Sequence, residues 1–200
     1  MKSIALPARS HATLRQKLIT ALIILMASAR AIGGAIDLGT PTSRTPYDQY
    51  LGPLWDVLHS LGGNQPDMGT VEQLVREGRA FRYVFKKDQP YVPQTPAETE
   101  STKSGDCKAK ALWLASKMGS RNVRFVVGKA SVERNVNHAW LIWEGPQGWL
   151  ILDATMFSKP LQPDRLSPSD YVPSFSYSPS GRYAHAVAAI IAGKKYGDHL

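Results

Sequence analysis

The chain has 200 residues, 43% of them hydrophobic and 20% charged, with a single cysteine. That is apolar material for one ordinary domain plus an extension, which excludes a disordered protein, and one cysteine excludes an internal disulfide. The formal charge of +8 is no nucleic-acid signal: residues 1–29 hold Lys2, Arg9, Arg15 and Lys17 with no acid, the remainder carries only +4, and no basic run interleaved with aromatics is left there.

The first 29 residues read as a targeting segment. Basic positions through Lys17 precede the apolar run Leu18–Met26, and Ala27-Ser28-Ala29 supplies a small-x-small cleavage pattern. The run is shorter than the roughly 20 residues of an ordinary membrane span. Export to the periplasm or medium is therefore expected. The alternative is retention, with residues 18–29 anchoring the protein to a membrane. Residues 30–47 read as a linker, and residues 48–200 as the folded domain.

Apolar residues at Tyr50, Leu51, Leu54, Val57, Leu58 and Leu61 follow a helical period over 48–61, which Gly62-Gly63 stops. A second helix is predicted from Thr70 to about Val84. Residues 86–104, with Pro90, Pro93 and Pro96, read as an extended loop. Asp106 can cap a helix over 107–118, with Ala111, Leu114, Ala115 and Met118 as its apolar stripe and Gly119 as its stop. Strands are predicted at 123–127, 138–143 and 149–153. The last two form an antiparallel hairpin around Glu144–Gly148. After Asp153 the chain is rich in Pro, Ser and Tyr to Arg182, and residues 183–192 read as a final strand or short helix.

Cys107, His138 and Asp153 carry the chemistry. A thiol in the first turn of a helix feels the positive end of the helix dipole, which favours thiolate. If Trp143 pairs with Gly148 across a four-residue loop, His138 falls directly opposite Asp153 on one face of the hairpin; a slip of one residue would separate them. Asp153 can then hold the imidazole of His138 in one tautomer, and His138 can serve as general acid and base to the thiol. The backbone N–H of Cys107 is a natural oxyanion donor. Acyl transfer through a thioester is the reaction class that this set of groups suits. His185 is a rival base, and a zinc site from Cys107, His138, Asp153 and His185 is disfavoured because it lacks closely spaced paired ligands. Trp113, Trp140, Trp143 and Trp149 read as packing residues, with Trp140, on the face of His138, also a candidate cleft wall; Lys108 and Lys110 read as a solvated helix face that could also favour the thiolate electrostatically.

Three segments resemble the motifs of the transglutaminase-like superfamily: Gly105-Asp106-Cys107 opening an apolar helix, Asn137-His138-Ala139-Trp140, and Trp149-Leu150-Ile151-Leu152-Asp153-Ala154-Thr155. Pro96-Ala97-Glu98-Thr99 upstream is also similar. The likeness spans about residues 70–157, in the style of bacterial transglutaminase-like cysteine peptidases. It implies an α+β, papain-like/transglutaminase-like fold, with the helix bearing Cys107 packed on an antiparallel sheet. It also implies a Cys107–His138–Asp153 triad that hydrolyses an amide of a protein or peptide, with no cofactor and no metal. Ala109 departs from the pattern, which often has an acid there, and neither Gln89 nor Gln94 matches the upstream oxyanion side chain of the fold. The alternatives are a crosslinking transglutaminase and a non-catalytic peptide-binding or envelope-scaffold module. Nothing in the sequence bears on oligomeric state.

Overall fold

In the computed structural model, residues 36–87 and 91–185 are described. The targeting segment, Gln89 and the end of the last apolar segment lie outside them. Among the described residues, no helix is long and apolar enough to cross a membrane.

The chain enters through a short strand, β1 (Thr40–Thr42), inside the stretch expected to be linker. After a 3-10 turn at Asp48–Tyr50 come α1 (Gly52–Ser60), α2 (Met68–Ala80) and β2 (Arg82–Tyr83), then α3 (Pro96–Thr102), β3 (Ser104–Gly105) and α4 (Cys107–Met118). Strands β4 (Val123–Ser131), β5 (Val136–Gly145), β6 (Gly148–Leu152), β7 (Asp170–Ser178) and β8 (Gly181–Ala184) follow among the described residues. Six strands form one antiparallel sheet in the order β1-β8-β7-β4-β5-β6, while β2 and β3 pair in parallel beside it.

The helices follow local rules. α2 begins at Met68 because Asp67 accepts from the Thr70 N–H at 2.8 Å, which moves the cap three residues upstream of the expected Thr70. α3 replaces part of the expected loop. Thr95 and Glu98 form a reciprocal capping box, and Pro96 occupies a position in the first turn where a missing N–H costs nothing. α4 starts and ends as expected, with Asp106 accepting from Lys108 and Ala109 N–H and Gly119 closing it in the left-handed conformation.

The central strands of the sheet are buried on both faces, which explains the near-continuous apolar runs in β4–β6. Val123, Phe125, Val127, Leu141, Trp143, Leu150 and Leu152 pack with the helices. Val126, Ala130, Trp140, Ile142, Ile151 and Tyr171 form a second cluster covered by Ile36, Leu38, Leu161 and Leu166. α4 is the central helix, and Lys110 is part of its buried surface instead of a solvated face. Its ammonium donates to the Phe81 carbonyl at 2.6 Å, satisfying the C-terminus of α2.

β7, unanticipated in the Pro/Ser/Tyr-rich segment, pairs along β4 with a register shift between Val127 and Gly128. A Cβ at Gly128 would stand 2.3 Å from the Val172 carbonyl oxygen and 2.9 Å from Pro173 Cα, both backbone. Gly128→Ala is therefore expected to lower stability by about 3 kcal/mol through forced separation of the two strands. Urea denaturation checks this, and an unchanged midpoint would contradict the packing.

Candidate active site

The structure brings Cys107, His138 and Asp153 together. Cys107 is the first residue of α4 and is buried apart from its opening to a cleft of about 190 Å³. Gly105, two residues earlier, lets the chain pass close to α4: a Cβ there would lie 2.8 Å from the Ala109 Cβ. The same contact accounts for a small side chain at position 109. The cleft is walled by Tyr47, Tyr50 and Leu51 on one side, and by Tyr83, Phe85, Tyr91 and Lys108 from the segments around β2 and the start of α4. His138 and its neighbours Asn137 and Ala139 line it from β5.

His138 Nε2 lies 2.8 Å from Asp153 Oδ2, and both side chains are almost wholly buried. The other ring nitrogen is left for the hydrogen bond with Cys107. The hairpin reaches this arrangement by a different register from the expected one. Its turn is two residues long, Gly145 pairs with Gly148 and Leu141 with Leu152, so the strands are shifted by two positions. A two-residue shift preserves the face, and His138 meets Asp153 diagonally, just beyond the end of β6, instead of directly opposite it. Trp140 stacks on the His138 ring at 6.2 Å and is buried behind it.

Burial alone would favour a neutral His138 ring. The Asp153 carboxylate and the Cys107 thiol outweigh it and push the pKa up to about 10. Burial would likewise raise Asp153, but hydrogen bonds and charge from His138, with the Tyr171 and Thr155 donors, hold it below its ordinary value. An imidazole held above 6.5 stabilises the fold fully below pH 6.5 and loses that contribution as pH rises toward 10. Asp153 contributes above pH 3.8 and loses its contribution on acidification. Lys110 is lowered, chiefly by burial, and acts in the opposite sense at alkaline pH, so the effect of His138 is best read as a difference. The melting-temperature gap between wild type and His138→Gln is expected to shrink steadily from pH 6 to pH 10. A gap that stays constant would contradict the coupling.

Three polar residues close around Cys107, His138 and Asp153 through contacts that no local sequence pattern announces. Tyr171, from β7, donates to Asp153 Oδ2 at 2.6 Å. Tyr91 donates to Asp106 Oδ2 at 2.5 Å, and Lys108 Nζ, expected in solvent, sits 3.3 Å from the same oxygen and 4.4 Å above the Tyr91 ring. Gln94 is buried behind Gly105 and does not line the cleft. His185 is no partner of Cys107: its Nε2 lies 2.9 Å from Ser176 Oγ and its Nδ1 3.2 Å from Asp37 Oδ2.

No protein-family model and no curated protein matches the sequence. Among solved structures, Legionella pneumophila LapG in its EGTA-treated form aligns with a TM-score of 0.50 at 23% identity, covering 68% of this chain and 76% of that one. The calcium-bound form of LapG gives 0.49 at 24% identity, over 66% and 76%. At these identities the likeness is one of fold. The chain has a papain-like/transglutaminase-like α+β fold.

Proposed function

We propose that the protein is a cysteine-dependent acyl-transfer enzyme that hydrolyses an amide of a protein or peptide through a thioester on Cys107. The observation that carries this reading is the buried His138–Asp153 hydrogen bond, whose imidazole faces the thiol at the N-terminus of α4 inside an open cleft. The papain-like fold supports it at the level of architecture.

The sequence of steps follows from the groups present. The Cys107 proton resides on His138, leaving a thiolate–imidazolium pair. The thiolate attacks the amide carbonyl carbon, and the oxyanion is held by the Cys107 N–H, which has no acceptor within its own helix. Collapse breaks the C–N bond as His138 gives its proton to the departing amine. Water, deprotonated by His138, then attacks the thioester and releases the acid, returning the proton to the Cys107–His138 pair. Asp153 keeps a proton on Nε2 throughout and stabilises the charged ring. The neighbour LapG is described in a calcium-bound form. Among the described residues here, no three His, Cys, Asp or Glu side chains come together as metal donors, and Asp106 beside the thiol is already shared by Tyr91, two helix N–H groups and Lys108. No step is therefore routed through a metal. The signal-like pattern of residues 1–29 supports a reaction outside the cytoplasm.

The direct test is incubation of a proteome-derived peptide library with the protein, reading new N-termini by mass spectrometry. New termini that are absent with Cys107→Ala support hydrolysis. Acyl products that carry an added primary amine, with no new free acid, would show transfer instead. No covalent change of either kind would favour a binding module on this fold.

A further inference from the structure

Asp153 is more fully occupied than a triad carboxylate needs to be. Its Oδ1 accepts from the Thr155 N–H at 2.8 Å and the Met156 N–H at 3.2 Å. Its Oδ2 accepts from His138 Nε2 at 2.8 Å and from the Tyr171 hydroxyl at 2.6 Å. A carboxylate offers about four lone-pair sites, and here each has a donor.

Tyr171 is held for this contact at a cost. Its φ of 51° lies in the left-handed region, where a bulky side chain carries strain of about 1 kcal/mol or more. The ring is buried, set edge-on to Trp140 with centroids 5.2 Å apart, and stands 6.5 Å from the His138 ring. Burial, followed by the charge and hydrogen bond of Asp153, pushes the phenol far above its ordinary range, so the hydroxyl remains a donor at any working pH. Packing alone would be served by Phe, and the backbone strain would be lower with Gly or Asn.

We propose that Tyr171 is a positioning residue of the triad: its hydroxyl shares Asp153 Oδ2 with His138, fixing the carboxylate and tempering its hold on the imidazole. The inference rests on the triad reading above. A neutral donor on the oxygen that holds the ring draws off part of its negative charge. The imidazolium is then stabilised enough to pair with the thiolate, yet stays acidic enough to release its proton to a leaving amine. With the hydroxyl gone, Asp153 acts on His138 alone and binds the proton more tightly.

The experiment is a titration of His138 by 15N NMR, alongside the alkaline limb of Cys107 alkylation, in wild type and Tyr171→Phe. The His138 midpoint and the alkaline limb are expected to move up together by about 0.5 to 1 pH unit in the variant. Alkylation at pH 6 stays near the wild-type rate, because the ion pair still forms. A midpoint that is unchanged or lower overturns the inference, even if the variant melts earlier, since a purely structural tyrosine would change the melt alone. Tyr171→Asn, which suits the left-handed backbone but is too short to reach Asp153, is expected to give the same upward shift and serves if Phe does not fold. A wild-type His138 that titrates at its ordinary value would overturn the triad reading itself, and this inference with it; the wild-type arm separates that failure from the one above.

Discussion

Replacing His138 by Ala is expected to lower peptide turnover by on the order of 10⁶-fold, the scale on which loss of the base disables a nucleophile–base pair. In the proposed mechanism His138 takes the thiol proton, gives it to the leaving amine and activates the water, so without it no step would retain its proton carrier. The ring is set at the end of the sheet, against Trp140 and the cleft, so its loss leaves the helix-packed core untouched. Cys107→Ala is expected to match it. The double substitution should be no worse than either single one, because the two groups act as a unit. Turnover of the best library peptide measures this. A His138→Ala enzyme retaining a tenth of its activity would contradict the assignment, as would a double variant whose losses multiply.

Asp153→Asn is expected to cost about 10⁴-fold in kcat, with little change in KM. The backbone N–H groups of Thr155 and Met156 and the Tyr171 hydroxyl all donate to this side chain, so an amide can keep only part of the network. Asn placed with its oxygen toward those N–H groups turns its NH₂ toward His138 and Tyr171, where a donor faces donors. The ring then settles in the tautomer with its proton on the thiol side and can no longer accept the proton of Cys107. The loss should fall on kcat, since Asp153 lies behind His138 and does not line the cleft. A change confined to KM would instead mark Asp153 as a residue that shapes the substrate cleft.

The meeting of Cys107, His138 and Asp153 in the candidate site was largely legible because its signals are local. The cap at Asp106, the apolar stripe to Met118 and the stop at Gly119 lie within one short stretch, and they fix where Cys107 sits. The hairpin kept His138 and Asp153 on one face despite the misjudged turn, because an error of two residues leaves strand parity intact. Other elements were illegible for physical reasons. Three prolines between 90 and 96 obscured α3, although the Thr95–Glu98 capping box was there to be read. β7 carries one proline, Pro173, and three serines that argue against a strand, and its pairing with β4 is set by tertiary packing around Gly128. Lys110 looks like a surface residue by type, and only the position of the Phe81 carbonyl explains its burial. Tyr171 reaches Asp153 from 18 residues away through a strained backbone that no local pattern announces.

The central claim is that His138 activates Cys107, and the pH dependence of Cys107 alkylation by iodoacetamide, in wild type and His138→Ala, tests it most directly. With an imidazolium partner, wild type should alkylate at pH 6 at close to its plateau rate. The variant should react there at about 300-fold below its own plateau rate, as an ordinary thiol with a pKa near 8.5 would. Superimposable profiles, both rising only above pH 8, would contradict the account and leave a thiol that His138 does not activate.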